Sequence, residues 1–189
     1  MGTSFLAKIS LTALTAVGHA GFAGEKLREN GRKKGGKSVL YMGLDPGSRN
    51  GLAWLLVDDT SIALANYHDV PGGAEGFIEW WGEHSHVFDH WKPVTCVFEG
   101  FTLREGKYGV DITPRDVIGA LKALAARDGV DLIERPPAAR KRQVPDEVLK
   151  RMGLYLAGEK NRNAREAIRH VTAYLKSQKH PTVLAAFDA

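Results

Sequence analysis

The chain of 189 residues has a single cysteine, Cys96. One thiol cannot close an intramolecular disulfide, so the fold does not depend on an oxidising compartment, and no Cys-rich metal motif is available. Cys96 lies in the apolar run Val94–Phe98, as a small buried hydrophobe does. No apolar run is long enough to span a bilayer. There is also little surplus charge outside one segment. Residues 1–38 carry seven Lys and Arg against two Glu, which is +5 of a net +4, so the remaining 151 residues sum to −1. Any surface for a polyanion must therefore be local rather than general.

Residues 1–38 read as an extension. Phe5–Ala23 is moderately apolar and loosely like a signal peptide, but Lys8 interrupts it and threonines and glycines dilute it. We read it as a frayed helix or upstream start, and expect a cytoplasmic protein in a bacterial or phage-infected cell. Residues 24–38, GEKLRENGRKKGGKS, are Gly- and Lys-rich without apolar period, so they read as a flexible basic arm.

The remainder alternates short apolar runs with amphipathic segments. Val39–Leu44, Gly51–Val57 and Ser61–Tyr67 read as three strands joined by two hairpins, the first turn being Asp45-Pro46-Gly47. Helical spacing of Phe77, Trp80, Trp81 and Phe88 predicts a helix over 74–88. Strands are expected at Val94–Phe98 and Val130–Glu134, with a helix over Thr113–Asp128 between them. Pro145–Met152 and Asn163–Ser177 read as two further helices, and Pro181 is taken as the end of regular structure. The order β-β-β-α-β-α-β-α-α predicts an α/β domain over 39–180, a mixed five-stranded sheet flanked by helices, with residues 181–189 as a tail.

Three places in this pattern offer oxygen or nitrogen ligands. Asp45 ends the first strand at a rigid Pro-Gly turn. Glu99 ends the fourth strand, where side chains of open α/β sheets face a crevice. On the last helix, Asn163, Glu166 and His170 fall within roughly 60° of one another at 100° per residue. Mg²⁺ takes one or two carboxylates plus waters and phosphate, and paired ions stabilise attacking and leaving oxygens in phosphodiester cleavage. Taken singly, each place also fits an ordinary turn, strand exit or solvated helix face.

Gly43-Leu44-Asp45-Pro46-Gly47 with Gly51-Leu52-Ala53 resembles the opening hairpin of RuvC-type Holliday-junction resolvases. Val97-Phe98-Glu99-Gly100 resembles their fourth-strand acid. Arg151–Leu154 and Asn163–His170 resemble the last motif of the phage-encoded branch. The resemblance spans roughly Val39 to Lys176. It implies an RNase H-like fold, a homodimer, Mg²⁺ with Mn²⁺ as substitute, and paired nicking of a four-way DNA junction in recombination, repair or phage DNA processing.

By position it makes Asp45, Glu99 and Glu166 the metal-binding acids and puts Asn163 at a further ligand place; His170, one turn away on the shared helix face, is our own candidate for an assisting group. Glu166 stands where the family has Asp. Asn163 stands where it has Asp or His, and an amide cannot act as a general base. These departures also suit a branched-DNA-binding protein that does not cut, and the fold would equally serve a nuclease acting on RNA or flaps. A nucleotide-binding domain of the actin and sugar-kinase type would need a longer, two-lobed chain. For DNA contacts, Arg49 lies beside Asp45 in the first hairpin. Phe101, Arg104 and Lys107 follow Glu99 in a loop, and Arg140, Lys141 and Arg142 form a basic cluster.

Overall fold

A computed structural model describes residues 38–102, 110–136 and 143–189. Five strands, β1 (Val39–Asp45), β2 (Arg49–Val57), β3 (Ile62–Pro71), β4 (Val94–Glu99) and β5 (Asp131–Arg135), form one sheet in the order β3-β2-β1-β4-β5. The β1–β2 and β2–β3 pairs are antiparallel hairpins, whereas β1–β4 and β4–β5 are parallel. This is the mixed sheet the strand order predicts. Central β1 and β2 are apolar on both faces because both faces are covered.

One face carries α1 (Gly73–His84), α2 (His86–Trp91) and α3 (Thr113–Asp128). Their Phe77, Trp81, Phe88, Val117 and Leu121 bury against Leu40, Met42, Leu44 and Phe98. The opposite face carries α4 (Asp146–Arg151), α5 (Arg162–Ser177) and α6 (Pro181–Asp188). There Leu149, Ala167, Ile168, Val171, Leu175 and Val183 bury against Ala53, Leu55 and Val97. The α1–α3 layer is tied across by the Trp81 indole, which donates to Asp128 Oδ2 at 2.7 Å.

Three expectations are corrected. The helix expected over 74–88 is two helices that meet at Ser85. Its N–H still reaches Trp81 O, while the next turn closes on the tighter Phe88 N–H to Ser85 O bond. Pro181 starts a helix rather than ending regular structure. Proline suits the first helical turn, which needs no N–H there, and Val183 and Ala186 bury against the α5 side of the sheet. Third, β3 runs four residues past Tyr67, to Pro71, still paired with β2. Trp54 and Leu55 of β2 face Asn66 and Leu64, so Ala65 is an extra residue in β3, a bulge.

No helix among the described residues is long and apolar enough to cross a membrane.

Candidate metal centre

The first carboxylate is placed by β1. Strand pairing stops at Asp45 because Pro46 lacks an N–H, and the turn is held from below by Asn50, which is fully buried. Asn50 Oδ1 accepts from Gly47 N–H at 3.1 Å and its Nδ2 donates to Gly73 O at 2.7 Å. Ser48 O in turn accepts from the N–H groups of Gly72 and Gly73. The β1–β2 turn and the β3–α1 turn are thereby one rigid unit.

The second is placed by β4. Leu44 of β1 pairs in parallel with Phe98 of β4, so Asp45 and Glu99 follow side by side at the ends of adjacent strands, about 4.8 Å apart in the sheet direction. Alternation decides where they point. Gly43 abuts Ala167 of α5, and Val97 belongs to the core beneath α5. Asp45 and Glu99, two residues further along each strand, share that face.

The third group comes from α5, which lies unusually close to the sheet. A Cβ on Gly43 would collide with the Ala167 carbonyl, and one on Gly51 with the carbonyl of Asn163. Two glycines in otherwise apolar strands thus mark a close backbone approach. With α5 seated at this depth, His170 Nε2 stands 3.7 Å from Asp45 Oδ1 and 3.9 Å from Glu99 Oε2. Ligand atoms of the three residues all lie within 4.8 Å of one another. These separations exceed hydrogen-bond length. The 3.7 and 3.9 Å distances lie in the roughly 3–4 Å range between atoms arranged around a common cation at about 2.1 Å. The side chains of Asp45 and Glu99 are 15% and 11% exposed and that of His170 is 3% exposed, so the centre is shielded yet reachable. Two carboxylates and one imidazole fit a divalent ion; the carboxylates suit Mg²⁺ or Mn²⁺, and the imidazole shifts preference toward the transition metal.

The other expected residues fall in several places. Glu166 is outside this three-residue set: its Oε1 accepts from Arg169 Nη1 at 2.6 Å. Arg169, on the same helix, is buried. It also pairs with Asp146 and donates from Nε to Val144 O at 3.1 Å. Asn163 lies over Gly51, its Nδ2 3.4 Å from Asp69 Oδ1. Arg49 is at the rim, its Nε 3.2 Å from the same oxygen. Phe101 is partly buried against the α1–α3 core. Arg104, Lys107, Arg140, Lys141 and Arg142 lie outside the described residues.

Asp69, Asn50, Asp146 and the pairing of Arg169 were missed from sequence. For Asp69 a signal existed: continuing the β3 alternation past Tyr67 puts an acid on the rung of Asp45 and Gly51. Cys96 is fully buried, and burial pushes its thiol far above the ordinary range, consistent with an inert packing residue.

The sheet order and the helix layers give the chain the RNase H-like fold seen in solved RuvC structures. Among solved structures, the chain is similar to Thermus thermophilus RuvC in complex with Holliday junction substrate. The TM-score is 0.57 at 16% identity, covering 76% of this chain and 98% of that one. Another Thermus thermophilus RuvC structure gives 0.52 at 17% identity, covering 74% and 97%. The yeast mitochondrial Holliday junction resolvase Ydc2 gives 0.50 at 11% identity and covers 91% of both chains. No protein-family model matches the sequence, and no curated protein matches it.

Proposed function

We propose that this protein is a metal-dependent endonuclease that nicks four-way junctions or other branched DNA in pairs, acting as a homodimer. The observation that carries the reading is the convergence of Asp45, Glu99 and His170, on a fold whose solved neighbour is bound to a Holliday junction substrate. Asp45 and Glu99 would hold the ion with His170, and Asn163, one helical turn before Ala167, would offer its amide oxygen at the edge of the site. A bound Mg²⁺ or Mn²⁺ would supply positive charge beside the phosphate and lower the pKa of a bound water. The protein's own part is positional. Strand ends fix the two carboxylates, and the glycine-seated helix fixes the imidazole, so little reorganisation remains when DNA arrives.

The test uses the full chain with a labelled four-way junction and a matched linear duplex, in Mg²⁺, Mn²⁺ and EDTA. Paired nicks on the junction alone, abolished by EDTA and by Asp45→Asn, are expected. Tight junction binding without cutting in either metal would identify a junction-binding protein instead. Cutting of RNA or flaps in preference to junctions would move the substrate and leave the chemistry.

A further inference from the structure

Asp69 stands on the same sheet rung as Gly51 and Asp45, two strands away from Asp45, or roughly 10 Å. That distance is too great for the two acids to share an ion, and Asp69 is absent from the metal-ligand set. Instead a single oxygen, Oδ1, joins two different elements: it accepts from Arg49 Nε at 3.2 Å and from Asn163 Nδ2 at 3.4 Å. Asp69 is mostly covered at 19% exposure, while Arg49 is 56% exposed. The arginine is therefore held at its inner nitrogen, and this contact does not use either terminal nitrogen of the guanidinium.

We propose that Asp69 is a positioning residue that presents the Arg49 guanidinium to a backbone phosphate of the bound DNA, beside the Asp45–Glu99–His170 centre. The proposal rests on the nuclease reading above and adds a residue to it. Three features support it. A planar fork with fixed direction matches phosphate oxygens in pairs, which a freely rotating cation does not. The Arg49 backbone is already immobile, because neighbouring Asn50 is buried and bonded to both turns, so holding Nε removes most of the remaining freedom before DNA binds. Finally, an acid on a DNA-facing rim repels phosphate. Its bond to Arg49 Nε gives it a use there that offsets this repulsion.

Charge and position predict opposite signs. Junction binding by the full chain is measured by fluorescence anisotropy in EDTA over a salt series. The proteins are the wild type, Asp69→Ala, which removes the acceptor oxygen as well as the charge, Arg49→Ala and the double variant. If Asp69 acted only through its charge, Asp69→Ala would bind more tightly. The positioning role predicts about tenfold weaker binding and a salt slope shallower by about 0.9, the loss of one phosphate contact. Arg49→Ala should do the same, and the double variant should be no weaker than Arg49→Ala. Manganese affinity by titration calorimetry should not change in Arg49→Ala, which leaves the Asp69–Asn163 contact in place. Equal or tighter binding by Asp69→Ala, or losses that add in full, overturns the proposal. Should Asp69→Ala unfold, Arg49→Lys carries the test: it keeps the charge but cannot be held at Nε while offering a fork, so undiminished binding by it overturns the proposal too. A wild-type chain that binds no DNA overturns the nuclease reading and this inference together, and is told apart because the defect is already present without substitution.

Discussion

Glu166 and His170 sit one turn apart on α5 and serve different partners. The imidazole of His170 faces Asp45 and Glu99 across the sheet ends, while the carboxylate of Glu166 is turned to Arg169 and, through it, to Asp146. One helix thus contributes a ligand to the candidate metal centre and an acid to a buried ion network beside it.

This division predicts different phenotypes for the two residues. His170→Ala should weaken Mn²⁺ binding by more than the ~10–100-fold typical of residues that merely support ligands, with Asp45→Asn and Glu99→Gln behaving alike. Glu166→Gln should retain most of the metal affinity. Calorimetric Mn²⁺ titrations of the four variants check this, and equal losses for Glu166→Gln and His170→Ala would place Glu166 in the metal set.

Glu166→Gln should instead cost stability. Arg169 is buried, and removing one of its partners leaves part of its charge uncompensated, a loss of about 3 kcal/mol. For a domain of this size that is a fall in melting temperature of about 10 °C, measurable by circular dichroism.

The glycine seats make a steric prediction. Gly43→Ala would drive a methyl into the Ala167 carbonyl, and Gly51→Ala one into the carbonyl of Asn163. Overpacking of this kind costs about 1–3 kcal/mol. Because the relief is a lift of α5, cutting should fall by far more than stability. A Gly43→Ala protein that melts a few degrees early yet cuts at the wild-type rate would show that the depth of α5 does not set the site.

A pH dependence follows from His68. Burial, with His84 adding to it, pushes the His68 pKa down from 6.5 to about 4; its ring packs 5.0 Å from that of His84 and 5.5 Å from that of Trp80. Between pH 6.5 and 4 the unfolded chain binds a proton that the folded chain refuses. Stability is therefore full above pH 6.5 and declines as the pH falls toward 4. The whole effect, discounted for partial exposure, is about 1–2 kcal/mol. Chemical denaturation at pH 7, 5.5 and 4.5 should show this slope in wild type and a smaller one in His68→Gln. An unchanged slope would assign it to other groups.

The two carboxylates of the centre could be read from sequence because strand ends are punctuated. An apolar run followed by Asp-Pro-Gly or Glu-Gly announces both the strand and the acid that finishes it, and parallel pairing of β1 with β4 then brings Asp45 and Glu99 together. The helix contribution was harder to divide. Asn163, Glu166 and His170 share one broad face in projection, but that face meets two surfaces, the sheet and the segment 143–146. Projection does not say which surface each side chain meets; the Gly43 and Gly51 contacts do. Asp69 escaped because β3 is an edge strand of intermediate burial, where apolar alternation fades before pairing ends. Asp146 and Arg169 escaped because the partner of a buried charge lies 23 residues away, and local patterns carry no information at that range.

The spacing of the glycine seats has a mechanical consequence. Gly51 receives Asn163 and Gly43 receives Ala167, four residues further along the same helix, so the two notches are set one helical turn apart. Such a pair acts as a detent. A small slide or rotation of α5 would carry a carbonyl out of its notch and against a strand, so the register of the helix is set by backbone shape before any side chain of the centre is considered.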